Sequence, residues 1–210
     1  MNNRDNPRRI QDIQAFLHGY LQKYLNDGDI TVDATAGRGR DTLFLAQCVG
    51  NAGKVFAFDI QTEAVQATQE LLREQGLAHR VQLLSVSHAE IEKYVPPGVK
   101  AAVFNLGYLP GYEKKVITRP ETTLQALTQL LKLLQEKGLI VITVYRGHEG
   151  GLEESNALLH YLSKLPKKDF GVLQGIYLNQ GETSPYWIII QKTRRIVDEN
   201  PPSKKNPGAN

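Results

Sequence analysis

The sequence predicts an α/β domain with a doubly wound, seven-stranded and mostly parallel sheet. Apolar strand-like segments alternate with amphipathic helical segments through most of the 210 residues, a pattern typical of parallel strands covered by helices on both faces. The last two strand-like segments, at about 170–178 and 186–192, follow each other without a helix, so we expect them to form an antiparallel hairpin. A turn with two glycines also separates the first strand from the helix after it, at about 32–42.

The individual elements follow from hydrophobic periodicity and from the residues that begin or end helices. The five strands before the hairpin are predicted at residues 30–34, 55–60, 81–86, 101–106 and 139–145. The helices are predicted at residues 8–25, 41–49, 62–75, about 118–134 and 152–165. Thr62 is expected to cap the third of these helices. Thr118 and Glu121 have capping-box spacing for the fourth, whose apolar stripe runs to Leu134.

Composition places the chain among ordinary globular domains, with 41% hydrophobic and 22% charged residues. We expect one domain over residues 1–193, including an N-terminal helix, and a polar, proline-rich and disordered tail over 194–210. The polar start predicts no signal peptide, and no apolar run predicts a membrane span. The single cysteine, Cys48, lies on an apolar helical stripe, where we expect it to pack in the core. These features favour a cytoplasmic protein. The formal charge of +3 permits nucleic acid as a partner without demanding it.

The turn after the first strand is the first candidate binding site. Gly37 and Gly39 allow a sharp turn and close approach to a ligand, and ligands of doubly wound sheets bind at the carboxyl ends of the strands. A dinucleotide fingerprint needs a third glycine where this chain has Thr42, and Asp41 before it would repel a pyrophosphate. S-adenosylmethionine (SAM) has no phosphate and carries a cationic sulfonium, so it suits this loop better. The candidate cofactor-binding residues here are Asp33, Ala34, Gly37, Gly39, Asp41 and Thr42.

The ends of the second and third strands provide further candidates. Asp59 ends the second strand, 22 positions after Gly37, where a carboxylate can accept hydrogen bonds from both ribose hydroxyls. Gln61 is placed to assist near the ribose or the adenine. His88, after the third strand, is a candidate for stacking on the adenine or bonding to it, and a purely structural role for it is an equal alternative.

The loops after the fourth and fifth strands are expected to hold the methyl acceptor. Asn105 and Tyr108 match the outer positions of the Asn-Pro-Pro-Tyr tetrapeptide found in enzymes that methylate exocyclic amines, although the two central prolines are absent. In that chemistry the asparagine oxygen orients the amine, while Tyr108 can stack on a base. Gly107 lies between them as a cofactor-binding candidate. Tyr145 and His148 follow the fifth strand and are the remaining catalytic candidates. No cysteine or histidine spacing indicates a metal site.

The motifs together resemble the YtqB-like, or MnmM, methyltransferase family over about residues 8–192. The most specific part of the resemblance is the Asn-Leu-Gly-Tyr-Leu-Pro run at 105–110. Membership implies the class I methyltransferase fold, SAM as cofactor and tRNA as substrate. It implies methylation of the aminomethyl group of 5-aminomethyl-2-thiouridine at the wobble position, with the anticodon arm as the binding partner. It also implies that SAM is surrounded by Asp33, Gly37, Asp59, Gln61, His88 and Asn105.

Three arginines depart from the residues that this resemblance leads us to expect. Arg38 and Arg40 replace an asparagine and a histidine, and Arg146 replaces a proline. We expect extra arginines of this kind to contact tRNA phosphates.

Two other functions remain open at this point. One is SAM-dependent methylation of a different RNA, such as rRNA, or of a small amine. The other is binding of a nucleotide or NAD without methylation, against which Asp41, Thr42 and the closing hairpin argue. A homodimer is compatible with the sequence, but the sequence alone identifies no interface.

Overall fold

The computed structural model describes residues 12–107 and 117–193, which form one α/β unit around a seven-stranded sheet. Its helices are α1 (Ile13–Tyr24), α2 (Arg40–Cys48), α3 (Thr62–Glu74), α4 (Pro120–Leu133) and α5 (Gly151–Leu162). Its strands are β1 (Ile30–Asp33), β2 (Lys54–Phe58), β3 (Val81–Leu84), β4 (Val99–Leu106), β5 (Leu134–Val144), β6 (Phe170–Gly175) and β7 (Tyr186–Lys192). Short 3₁₀ turns precede β3 and follow it, at Ala78–Arg80 and His88–Lys93.

The strand order is β3-β2-β1-β4-β5-β7-β6. The first five strands pair in parallel, whereas β7 is antiparallel to both β5 and β6. The predicted doubly wound sheet with a closing antiparallel pair is therefore confirmed. The order reverses next to β1, so the crevice between β1 and β4 is where such sheets bind ligands.

Helices cover both faces of the sheet and bury two apolar layers. On one face, α4 and α5 pack against alternate residues of β4 and β5, such as Phe104 and Ile142. On the other face, α1, α2 and α3 pack against the intervening residues, such as Val103 and Val141. The alternation follows from the two-residue period of a strand. Asn105 continues the set that faces α1, and this places its side chain beneath that helix.

The start and end of α4 differ from prediction. The N-cap residue is Arg119, whose side chain makes no capping bond, and Pro120 begins the helix. The capping box expected from Thr118 and Glu121 was wrong, because the Thr118 hydroxyl donates to Glu154 on α5 instead. Leu134 was expected in the helical stripe but begins β5, where it pairs with Val99.

Two smaller predictions also need correction. Thr62 is the first residue of α3 rather than its cap, because Gln61 takes the extended N-cap conformation without a side-chain bond. Cys48 is half-buried at the edge of the α1–α3 layer and not enclosed in it. Burial still raises the pKa of its thiol. Tyr108 and the tail over 194–210 lie outside the described residues. Among the helices that the structure describes, none has the length and apolar character needed to cross a membrane.

Candidate active site at the carboxyl edge of the sheet

The predicted site residues follow the carboxyl ends of five parallel strands and so lie along one edge of the sheet. Asp33 ends β1, Asp59 follows β2 and His88 follows β3. Asn105 lies at the end of β4, and Tyr145 follows β5. The parallel pairing brings together residues that are up to 112 positions apart in the chain.

Asp33 organises the turn between β1 and α2 from beneath. Its carboxyl oxygens accept hydrogen bonds from the Thr42 hydroxyl at 2.6 Å and from the Thr35 backbone N–H at 3.1 Å. Burial, followed by the nearby charge of Asp41, raises the pKa of Asp33 to about 7, although its two hydrogen bonds act in the opposite direction. Because both oxygens are bonded to groups of the loop itself, this geometry gives Asp33 the role of holding the loop.

Three residues predicted to bind the cofactor have almost no exposed surface. Asp33 and Thr42 are 0% exposed and Ala34 is 1% exposed. The Ala34 carbonyl also accepts a hydrogen bond from the His88 ring. Because Asp33 and Thr42 are buried and bonded to each other, and the Ala34 carbonyl is already bonded to His88, we assign these three residues to the framework of the loop rather than to ligand contact.

The two glycines of the loop differ in their surroundings. Gly39 precedes α2 with a left-handed φ of 78°, and a Cβ there would stand 2.9 Å from the Thr68 side chain. Thr68, on α3, donates its hydroxyl to the Gly37 carbonyl at 2.9 Å. Helix α3 therefore packs directly against the loop. Gly37 is half-buried, so it keeps surface that a ligand can reach.

Asp59 links the two loops that flank the crevice. One carboxylate oxygen accepts the Gly37 N–H at 2.8 Å, and the other accepts the Gln61 N–H at 2.9 Å. Burial raises the pKa of Asp59, and these backbone bonds partly offset the rise. Each carboxylate oxygen has a further lone pair, so the half-buried Asp59 retains acceptors for a ligand's hydroxyl groups. Gln61 is half-buried beside it.

His88 packs between two strands at the same edge. Its Nδ1 donates to the Ala34 carbonyl at 3.1 Å, and its ring meets Phe104 edge-on with centroids 6.1 Å apart. Burial lowers the pKa of His88, which favours the neutral ring. The proton on Nδ1 leaves Nε2 as an acceptor. Nε2 is buried without a hydrogen-bond partner among the described residues.

Asn105 joins the end of β4 to α1 and α2. Its backbone N–H donates to the Thr35 hydroxyl at 2.7 Å. Its side-chain NH₂ donates to Asp41 on α2, and its side-chain oxygen accepts from the Gln14 amide on α1. Asp41 was predicted near the cofactor from its place in the loop. The structure also brings it to Asn105, 64 residues away.

Gly107, Tyr145 and His148 meet where β4 and β5 end. A Cβ on Gly107 would stand 3.2 Å from His148 Nε2 and 3.6 Å from the Tyr145 Cβ. The His148 Nδ1 donates to the Glu149 carbonyl at 2.8 Å. Tyr145 is 40% exposed, which leaves its ring available to a substrate. These three predicted residues therefore do lie together, and Tyr108 is outside the described residues.

Sequence reasoning missed a buried carboxylate that holds this corner. Glu154, 2% exposed on α5, accepts hydroxyl hydrogen bonds from Thr118 and Thr123, each at 2.6 Å. The Thr118 hydroxyl also accepts the Gly107 N–H at 2.9 Å. A glutamate within the apolar stripe of a helix was the available signal, but only the fold shows which hydroxyls meet it.

The arginines that depart from the family pattern differ in their surroundings. Arg146 is half-buried, with its guanidinium 5.1 Å from the centre of the Tyr186 ring and donating to the Ser184 carbonyl at 3.3 Å. It therefore packs against the β7 end of the sheet instead of extending towards a phosphate, contrary to our expectation. Arg38 and Arg40 are exposed at the glycine loop.

Within the described residues, no group of three or more histidine, cysteine, aspartate or glutamate side chains is arranged to hold a metal ion. The polar atoms at this edge instead form a row of hydrogen-bonding groups, from Asp59 to Asn105. This arrangement can bind a neutral or cationic ligand that offers hydroxyl and amine donors.

Comparison with known proteins identifies sequence relatives of this chain. The family described as "Putative rRNA methylase" matches residues 55–191. A chloroplastic tRNA (mnm(5)s(2)U34)-methyltransferase of Arabidopsis thaliana is 38% identical over 164 residues, covering 73% of this chain and 60% of the plant protein. A ribosomal RNA small subunit methyltransferase H from an Acidovorax species is 33% identical over 88 residues, 37% of this chain and 29% of that protein. The chain thus spans only part of these curated relatives.

Solved structures match over more of their length. A crystal structure described as a putative rRNA-methylase from Clostridium thermocellum has a TM-score of 0.83 and 40% identity, and the match covers 85% of this chain and 96% of that one. A methyltransferase structure from Streptococcus mutans in complex with S-adenosylhomocysteine (SAH) has a TM-score of 0.78 and 38% identity over 85% and 97% of the two chains. The resemblance noted in the sequence is therefore confirmed: this chain has the class I methyltransferase fold and belongs to the family described as putative rRNA methylase.

Proposed function

We propose that this protein is a SAM-dependent methyltransferase that methylates the aminomethyl group of 5-aminomethyl-2-thiouridine at the wobble position of tRNA. The observation that carries the proposal is the place of Asn105 at the end of β4, with its amide held between Asp41 and Gln14. The 38% sequence identity to the Arabidopsis tRNA methyltransferase supports the choice of substrate.

The residues at the sheet edge fit SAM by their chemistry. Asp59 retains acceptor lone pairs for the two ribose hydroxyls. The buried Nε2 of His88 is an acceptor without a partner among the described residues, which suits the donor amine of an adenine. The carboxylate of Asp41 in the first turn of α2 favours a cation over a phosphate. SAM supplies a methyl group that its sulfonium has already activated.

The chain's own residues then have to orient the acceptor amine. An uncharged amine has one lone pair, which must point at the methyl group, while its hydrogens need acceptors. The Asn105 side-chain oxygen is such an acceptor. Tyr145, which lies beside Gly107 and is exposed, offers an aromatic ring on which a base can stack. Orientation and proximity can account for most of the rate enhancement when the donor is already activated.

The test is mass spectrometry of nucleosides from tRNA that lacks the final methyl group, incubated with this protein and SAM. A gain of one methyl on 5-aminomethyl-2-thiouridine supports the proposal. Asp59→Asn should weaken SAM binding by about tenfold or more in calorimetry, as expected for losing a charge-assisted hydrogen bond. Asp29→Asn, in the loop before β1, is the matched control and should bind SAM normally. SAM binding without any methylated tRNA would reject the tRNA substrate.

A second candidate is methylation of a ribosomal RNA. The family description and the match to the Acidovorax small-subunit enzyme favour it. Parallel reactions with unmodified ribosomal RNA and undermethylated tRNA, using labelled SAM, distinguish the two substrates. Label in ribosomal RNA alone would replace the tRNA proposal with this one.

A further inference from the structure

Helix α1 contributes polar side chains to the acceptor end of the site. Gln14 is half-buried on the face of α1 that meets the sheet. Its side-chain NH₂ donates to the Asn105 side-chain oxygen and to the Thr143 hydroxyl, the latter at 3.1 Å. Both hydrogens of that NH₂ therefore have acceptors on neighbouring strands, β4 and β5. A glutamine facing an otherwise apolar layer is thus satisfied only because Asn105 and Thr143 lie beneath it.

A second residue of α1 reaches the same asparagine through Asp41. The Asp41 carboxylate accepts from the Asn105 NH₂ with one oxygen, and its other oxygen lies 2.5 Å from His18 Nε2. The His18 ring stacks on Phe44 of α2, with centroids 3.9 Å apart and planes 2° from parallel. The imidazole is therefore fixed on one face by an aromatic ring and at one nitrogen by the carboxylate.

These contacts allow only one orientation of the Asn105 amide. A carboxylate only accepts hydrogen bonds, so the Asn105 NH₂ must face Asp41. The Gln14 NH₂ only donates, so the Asn105 oxygen must face α1. Turning the amide over would put two acceptors together on one side and two donors on the other. A carbonyl oxygen has two lone pairs, and Gln14 occupies one, so the other is left for an incoming donor.

We propose that Gln14 and His18 are positioning residues for methyl transfer. They fix the Asn105 oxygen as the acceptor for the substrate amine. This inference rests on the function proposed above, because it gives Asn105 the role of orienting an amine. Gln14 acts on Asn105 directly, and His18 acts through Asp41. The N-terminal helix is then part of the acceptor site and not only a cover for the sheet.

The first test compares Gln14→Met with Gln22→Met, an exposed position on the same helix. Both substitutions replace an amide by a thioether of similar length, but only the first removes a donor to Asn105. Methyl transfer to undermethylated tRNA should fall about tenfold in kcat for Gln14→Met, with KM for SAM unchanged, as expected for one hydrogen bond that acts on the transfer step. Gln22→Met should match wild type.

A double-mutant cycle tests whether the effect passes through Asn105. In an Asn105→Ala background, Gln14→Met should cost little further activity, since coupled residues are not additive. Two results would overturn the proposal. One is that the losses from Asn105→Ala and Gln14→Met add fully, and the other is that Gln14→Met keeps the same kcat as Gln22→Met.

A binding measurement tests the same point without RNA. Sinefungin carries an amine in place of the methyl group of SAM, whereas SAH carries nothing there. We expect wild type to prefer sinefungin over SAH, and Gln14→Met to reduce that preference about tenfold or more, because the sinefungin amine is protonated at neutral pH and donates a charge-assisted hydrogen bond. Absence of the preference in wild type, or its survival in Gln14→Met, would contradict the inference. If tRNA is not methylated but the preference for sinefungin still depends on Gln14, the proposed tRNA substrate is rejected and the role of Gln14 is retained.

Discussion

The Thr42 hydroxyl donates a 2.6 Å hydrogen bond to the fully buried Asp33 carboxyl group and ties the first turn of α2 to the end of β1. Burial, together with the charge of Asp41, raises the pKa of Asp33 to about 7. The loop between β1 and α2 is therefore built on a carboxyl group whose pKa lies well above its ordinary value.

The raised pKa of Asp33 predicts a pH-dependent stability. The folded state binds a proton at Asp33 more tightly than the unfolded state does, so this residue's contribution is present below pH 4. That contribution is lost as the pH rises towards 7. Asp33→Asn removes the titration; its side-chain oxygen can still accept the Thr35 N–H, and its NH₂ can donate to the Thr42 hydroxyl, which then acts as the acceptor. Its free energy of unfolding relative to wild type should therefore increase between pH 4 and 7, by at most about 1.4 kcal/mol per pH unit.

Urea denaturation of both proteins at several pH values measures this difference. Asp29→Asn, in the loop before β1, controls for the loss of a carboxylate elsewhere. A difference between Asp33→Asn and wild type that does not change with pH would show that Asp33 is ionised throughout.

We expect substitution of Gly39, which has a left-handed backbone, to lower stability by more than the backbone strain alone. Gly39→Ala meets both a φ of 78° and the Thr68 side chain at 2.9 Å. Gly76 has a similar φ of 68° with nothing within 4 Å of its Cβ, so Gly76→Ala isolates the backbone term of about 1 kcal/mol. We expect Gly39→Ala to cost about 1–3 kcal/mol more, typical of overpacking. Thermal unfolding measures both, and equal losses would show that Thr68 moves aside freely.

We expect substitution of Glu154 to have a large effect on stability, although this residue is not itself a candidate for contact with cofactor or substrate. Glu154→Ala removes the carboxylate that accepts from the hydroxyls of half-buried Thr118 and fully buried Thr123. The expected loss is about 2–4 kcal/mol, from unsatisfied polar groups and a cavity. Glu153→Ala, exposed on the same helix, should change stability by less than about 0.5 kcal/mol. Similar melting temperatures for the two variants would refute the role of this network.

We expect Lys192 to stabilise the C-terminal end of α4. Its buried ammonium group donates to the carbonyls of Leu131, Lys132 and Leu134, at 3.1, 3.3 and 2.8 Å. Lys192→Met should lower stability by about 1–3 kcal/mol, because these carbonyls at the helix end lose their donor. Lys132→Met is the control, since its side chain is 64% exposed. Chemical denaturation of both variants measures the effect, and no loss in Lys192→Met would mean that water replaces the ammonium.

The strands and most helices could be predicted because their signals are local. Parallel strands covered on both faces are nearly continuous apolar runs, as in β2, and the glycines around α2 mark its limits. The errors fell where a side chain found a distant partner. Thr118 had the spacing of a helix cap, but Glu154, 36 residues later, took its hydroxyl instead. No local pattern reveals that competition.

The same division applies to the candidate site. Asp59, Asn105 and the glycine loop could be predicted because a strand's end fixes where the residue after it lies. Whether a residue keeps surface for a ligand could not be predicted, since Asp33 and Thr42 become buried only when α2 packs on β1. Gln14 and His18 carried no signal in the sequence beyond two polar positions in an amphipathic helix.

By itself, the sequence determined the succession of strands and helices along the chain, the family and the edge of the sheet that holds the candidate site residues. It could do so because periodicity, turn residues and strand ends are properties of neighbouring residues. Only the tertiary structure decided which loop residues are framework, that Arg146 packs on Tyr186 and that α1 fixes the Asn105 amide. Those outcomes depend on hydrogen bonds and burial between segments far apart in the chain, and these exist only once the helices have docked on the sheet.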